Sequence, residues 1–176
     1  MGNTSASIRF VVAFTLIAST FLGLYYFPYA DGGAMKTGLN AYLHGYALSA
    51  GTVLGWVEPH VAVTGQDIVG RTSLRIVRTC DAMDVTILLL AAIVSWPSSS
   101  RRRALGAVAG VSILFIVNVV RICSLYYVGV YCPAAFELAH LELWPAIILL
   151  VAVGLFVGSI RMGRELPARR ASNALA

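Results

Sequence analysis

Three side chains in this sequence have the types needed for nucleophilic chemistry at a carbonyl: Cys80, Arg121 and His140. A thiolate is the attacking form of cysteine, and a neighbouring arginine or imidazolium draws a thiol pKa toward neutrality. Histidine can then protonate a departing amine, and a guanidinium can stabilise the oxyanion of a tetrahedral intermediate. Asp81 and Asp84 follow the cysteine closely. Carboxylates there oppose thiol ionisation, so the simpler expectation is that they cap a helix N-terminus, where negative charge is favourable.

Each reactive residue also has a plain reading. A lone cysteine in an apolar chain is commonly a small buried hydrophobe, a description that fits Cys123 better than Cys80. An oxidising compartment permits a Cys80–Cys132 disulfide as the alternative to a nucleophile. His140 can anchor a helix end in lipid headgroups, as Trp144 can. Arg121 follows an unbroken apolar run, where a guanidinium is costly unless it is paired, snorkels or serves a site. The three cysteines form no closely spaced pair of the metal or redox kind. No metal or other cofactor is expected.

The elements that must position these residues follow from composition. Of 176 residues, 59% are hydrophobic and only 12% charged, whereas soluble domains carry about a quarter charged residues. This excludes a soluble enzyme, a disordered tail and a secreted disulfide-rich domain. The apolar residues sit in blocks long enough to cross a bilayer, without the repeated strict alternation of a transmembrane barrel. The expected fold is an all-α integral membrane protein, one domain over 1–176, with about four transmembrane helices at about 8–27, 82–97, 104–130 and 144–160. The first block resembles a signal peptide, but it is too long and lacks a following cleavage site, so a retained helix is expected. The intervening segment 28–79 is less apolar. In it Leu39, Tyr42, Leu43, Tyr46, Ala50, Val53 and Val57 recur at helical spacing, which predicts an amphipathic helix at the membrane surface. Short β-strands are expected at Val61-Ala62-Val63 and Leu74-Arg75-Ile76-Val77-Arg78, around Gly65 and Gly70.

The net charge of +5 does not point to nucleic acid, because the basic residues flank the apolar blocks. With four spans and both termini inside, Arg9, Arg101–Arg103, Arg161, Arg164, Arg169 and Arg170 lie on the cytoplasmic side. Lys36, Arg71, Arg75 and Arg78 lie outside, and a fifth span over Leu39–Val57 would break that bias. Cys80 is 21 residues before Arg101 and His140 is 21 before Arg161, roughly 31 Å at helical rise. Arg121 is 18 residues after Arg103, roughly 27 Å. Measured from the inner arginines, all three reach the outer interface, each from a different helix end.

Cys80 at the outer start of a span, Asn118-Val119-Val120-Arg121 late in the next, and His140 before the last span resemble the exosortase/archaeosortase pattern. The likeness runs over about 57–160, through the arginine-rich loop and the continuation Arg121-Ile122-Cys123-Ser124-Leu125-Tyr126. The short chain is most similar to the small bacterial members called exosortase H. Members commonly have a glycine shortly after the cysteine, whereas this sequence reads Cys80-Asp81-Ala82-Met83. The resemblance implies a cysteine transpeptidase in the bacterial inner membrane. Its partners would be secreted proteins with a C-terminal motif, a transmembrane helix and a basic tail, together with an acceptor nucleophile of unknown kind. Cys80 would be the nucleophile, His140 the acid/base, Arg121 the electrostatic partner and Asn118 a support.

Arg71, Arg75 and Arg78 are expected to contact lipid phosphates or, second, a substrate carboxylate. The rival class is a non-catalytic membrane assembly or partner protein, for which Gly106, Gly110, Gly129, Gly154 and Gly158 would let helix backbones approach. A small transporter ranks lower, because the spans carry almost no polar residues at mid-depth.

Overall fold

The structure, a computed structural model, describes the backbone of residues 2–173 and the side chains of residues 5 and 7–161. The side chains of Arg164, Arg169 and Arg170, expected at the inner face, lie outside the described residues. The chain is mostly helical. Helix α1 (Gly2–Tyr26) is followed by α2 (Ala34–Gly55), three short strands β1 (Ala62–Thr64), β2 (Asp67–Val69) and β3 (Ser73–Arg75), then α3 (Met83–Ser95) and α4 (Ser100–Tyr131). A 3₁₀ turn, Pro133–Ala135, leads to one short turn, α5 (Phe136–Leu138), a π-helical segment, Ala139–Leu143, and the last helix, α6 (Trp144–Asn173).

Among the described residues, three helical stretches are long and apolar enough to cross a membrane: Ser7–Tyr26, Ser100–Tyr131 and Pro133–Arg161. The span expected at 82–97 is shorter than its apolar run. Helix α3 has 13 residues, about 20 Å at helical rise against a hydrocarbon core of about 30 Å. Its start is fixed by Ala82, whose φ of 55° cannot continue a right-handed helix.

The contacts group into two compact units. One holds residues 1–26, 84–113 and 149–176. Within it Phe10 stacks on Phe156 and meets Trp96 edge-on, with centroids 6.4 and 5.6 Å apart. A Cβ at Gly110 would stand 2.9 Å from a Leu89 methyl, and one at Gly106 would stand 3.5 Å from Ser159 Cβ. Gly110 therefore sits at a close approach and Gly106 at ordinary contact distance, whereas Gly154 and Gly158 have open space around them.

The second unit holds residues 27–83 and 114–148, and with them every candidate reactive residue. Its core joins a stripe of α2 (Leu43, Tyr46, Ala47, Ala50, Leu54) to Ile68, Ile76 and the α4 face Val119, Ile122, Tyr126. The amphipathic helix thus exists, but its apolar face is packed inside the protein. Val53 and Val57, expected on that face, are exposed.

The strands form an antiparallel meander in the order β1-β2-β3. β2 fills what read as a loop, and β3 is shorter than the expected 74–78 strand. A two-residue turn with Gly65 at φ 60° joins β1 to β2, a conformation glycine adopts without penalty. Gly70 needs its missing side chain for another reason. A Cβ there would stand 2.3 Å from the hydroxyl of Tyr126, which accepts a hydrogen bond from the Arg71 N–H at 2.9 Å.

Helix α2 meets the sheet at Gly51, where a Cβ would lie 2.3 Å from Val63 Cγ2. Gly51→Ala is expected to cost about 1–3 kcal/mol by overpacking, seen as a lower Tm in detergent. The Gly51→Ala/Val63→Ala pair should lose less than the two single changes summed, because the clash is shared.

Candidate active site

Strand β3 delivers the chain to a turn in which the Cys80 N–H donates to the Val77 carbonyl at 2.8 Å. Asp81, fully buried, accepts the Met83 N–H on Oδ1 at 3.0 Å. That is the helix-capping role expected of it, and it directs the carboxylate at the start of α3. Asp84 is exposed in the first turn of α3, where negative charge suits the helix dipole.

Between them Ala82 holds a left-handed backbone while 5% exposed. A non-glycine residue there carries about 1–2 kcal/mol of strain, and the turn keeps it directly after the cysteine. Ala82→Val is expected to destabilise by roughly 2–4 kcal/mol, since a β-branched side chain is worse at positive φ and has no room. Ala82→Gly should stay within about 1 kcal/mol, because relieved strain offsets lost burial and added chain entropy. Thermal unfolding of the two variants checks both values.

Helix α4 presents Asn118, Arg121, Ile122 and Leu125 along one face. Asn118 is fully buried, and its Nδ2 donates to the Cys80 carbonyl at 3.0 Å. It therefore holds the backbone at the cysteine. Arg121 is 3% exposed and donates from Nη2 to the His140 carbonyl at 3.4 Å. His140 lies in the π-helical segment, a wide turn that recurs at functional sites because it shifts a side chain out of α-helical register. Phe136, four residues earlier, packs edge-on against its ring at 5.7 Å.

These constraints bring Cys80 Sγ and His140 Nε2 to 3.1 Å. The cysteine is 8% exposed, and both side chains line a cavity of about 270 Å³ together with Arg121. No family model, curated protein or solved structure matches the chain. What is known of the site therefore comes from its own geometry. A thiol in hydrogen-bonding distance of an imidazole, with a guanidinium on the same wall, can exchange its proton and attack an electrophile entering the cavity.

The remaining walls are Ser73 and Arg75 of β3 and the apolar Leu74, Ile76, Val77, Ile122, Leu125 and Phe136. Sequence reasoning missed Phe136, whose spacing of four from His140 was the available signal.

The outer arginines divide. Arg75 lines the cavity but is held by Asp67 in two hydrogen bonds of 2.7 and 2.8 Å, and this arginine draws the Asp67 carboxyl below its usual pKa. Arg71 is turned to Glu58 at 3.3 Å, to the Tyr131 hydroxyl at 2.9 Å and over that ring at 5.1 Å. Neither Arg71 nor Arg78 lines the cavity.

All three cysteines are free thiols. Cys80 is paired with His140, whereas Cys132 is exposed and Cys123 lies 3.7 Å from the Ala50 carbonyl. Among the described residues, no group of three or more His, Cys, Asp or Glu side chains is placed to hold a metal ion.

Proposed function

We propose that the chain is a membrane-embedded cysteine transpeptidase that removes the C-terminal sorting tail of secreted proteins, as members of the exosortase/archaeosortase family do. The observation that carries this reading is the 3.1 Å approach of Cys80 Sγ to His140 Nε2 on a cavity that Arg121 also lines. His140 takes the thiol proton, and the Cys80 thiolate attacks the scissile carbonyl. The oxyanion of the tetrahedral intermediate faces the Arg121 guanidinium. On collapse the C–N bond breaks, His140 returns its proton to the departing amine, and a thioester remains on Cys80. An acceptor nucleophile then gives its proton to His140 and attacks the thioester, the C–S bond breaks, and the departing thiolate recovers the proton from His140.

The arginine distribution favours four crossings with both termini in the cytoplasm and α2, the sheet and the site outside. Helix α3 completes its crossing with the non-helical residues at its ends and local thinning of the bilayer. Arg71 and Arg78 then face the headgroups, where basic side chains meet lipid phosphates. A substrate tail that is itself a membrane helix meets such a protein within the bilayer, with its cleavable segment at the outer surface.

The test is processing in cells of a tail-bearing protein from the same genome. The proposal requires that the mature form accumulate with the wild-type chain and that Cys80→Ala leave only the precursor.

A further inference from the structure

The cavity beside Cys80 is lined by five consecutive residues, Ser73 through Val77. Side chains alternate faces along a strand, so a cavity lying on one face of the sheet would meet only every second residue. β3 itself is Ser73–Arg75, and a cavity that touches all three of its residues runs along the edge of the strand. One edge of β3 is taken by β2, so the cavity follows the other.

That edge carries unused backbone groups. The Ile76 N–H donates to the Gln66 carbonyl at 2.9 Å, and the Gly70 N–H donates to the Thr72 carbonyl at 3.0 Å. With Ile68 opposite Leu74, residues 72, 74 and 76 turn their backbone groups toward β2. The N–H and C=O groups of Ser73 and Arg75 point the opposite way. Both residues are exposed. The Arg75 side chain is drawn back onto β2 by Asp67, its cross-strand partner. Facing this edge are Cys80, His140 and the apolar side chains of Ile122, Leu125 and Phe136.

We infer that the substrate binds as an extended peptide, adding a fourth strand to the open edge of β3 and placing an apolar side chain in the cavity next to Cys80. This rests on the transpeptidase reading and adds the form in which the substrate is held. Two donors and two acceptors at Ser73 and Arg75 fix the peptide main chain, while the alternating side chains supply selectivity. At about 270 Å³ the cavity takes a short stretch of chain. A cationic side chain entering it would lose its water and meet the Arg121 guanidinium on the same wall.

The probes are acetylated tripeptide vinyl sulfones on the purified full chain in detergent, with iodoacetamide as a small reference reagent. The Cys80 thiolate adds across the vinyl group, the C–S bond forms, and the carbanion beside the sulfone takes up a proton. Rates of Cys80 modification are read by mass spectrometry. N-methylation of successive amides in the probe should slow labelling roughly five- to twentyfold at alternate positions only, because every second N–H faces β3. Leucine next to the sulfone should outpace lysine by about tenfold or more, since an ammonium there is desolvated beside a guanidinium.

Ser73→Pro removes one outward donor and leaves the ladder to β2 intact. It should lower the ratio of peptidyl to iodoacetamide labelling about tenfold, while Ser73→Ala keeps that ratio. Equal sensitivity at all amides, or at none, overturns the strand. Equal rates for leucine and lysine overturn the apolar pocket. A Cys80 that iodoacetamide modifies in a His140-dependent way, but with no alternation among the peptides, sinks this inference and leaves the transpeptidase reading standing. A Cys80 that neither reagent modifies overturns both.

Discussion

Cys80→Ala is expected to leave a tail-bearing substrate wholly unprocessed, a loss on the order of 10⁵-fold or more, as when a covalent nucleophile is removed. The size follows from the route: without sulfur there is no thioester, and water in a small apolar cavity is a poor substitute. The variant should fold, since Asn118 holds the Cys80 backbone carbonyl and not its side chain. Its Tm should therefore stay near that of the wild type. His140→Gln is expected to approach the same loss, because the thiol then has no base at 3.1 Å to take its proton and the departing amine has no acid. The Cys80→Ala/His140→Gln pair should be no slower than Cys80→Ala alone, since groups acting in one step are not additive. Mature protein from cells carrying only the Cys80→Ala chain would refute the mechanism. A Cys80→Ala chain that lost its fold would show in the Tm, and the His140→Gln variant would then carry the comparison.

The structure brings Cys80, Arg121 and His140 to one cavity, but the even helical rise used to align them holds only along α4. Between Cys80 and Arg101, α3 covers Met83–Ser95 alone, and His140 sits in a π-helical segment. Asn118 was legible through the Asn-x-x-Arg likeness, but not its target, since the Cys80 carbonyl arrives through a turn that no periodicity describes. α3 is shorter than the expected span by one residue at its start, where the Ala82 backbone is left-handed, and by two at its end, where Trp96 precedes Pro97 and leaves the helix. β2 escaped notice because Asp67-Ile68-Val69 is too short to show alternation and becomes a strand through its neighbours on both sides. The π-helical turn at His140 depends likewise on packing that local composition does not encode. Helix α2 shows the same limit from another side. Its periodic stripe was visible, but a stripe alone does not distinguish a lipid surface from a protein core, and here Ile68, Ile76 and the α4 face cover it.

Arg121→Lys is expected to slow processing by roughly 10² to 10³-fold, as loss of an oxyanion donor does, although the charge is kept. The guanidinium is 3% exposed and spends one arm on the His140 carbonyl at 3.4 Å. Its planar fork can hold that carbonyl and still face the cavity, whereas an ammonium is a single point of charge. A lysine must therefore give up the support of His140 or the cavity. If the arm acts on the transition state, kcat and kcat/KM should fall together with a peptide ester substrate. If Arg121 merely snorkelled to an interface, lysine would serve as well and the rate would not change. Arg121→Met separates charge from volume. It fills the space with an apolar chain, so stability should hold or rise, because burying a cation is costly even when hydrogen-bonded. The activity should still fall at least as far as in Arg121→Lys. A stable Arg121→Met chain that processes substrate at the wild-type rate would remove Arg121 from the chemistry and leave Cys80 and His140 to act alone.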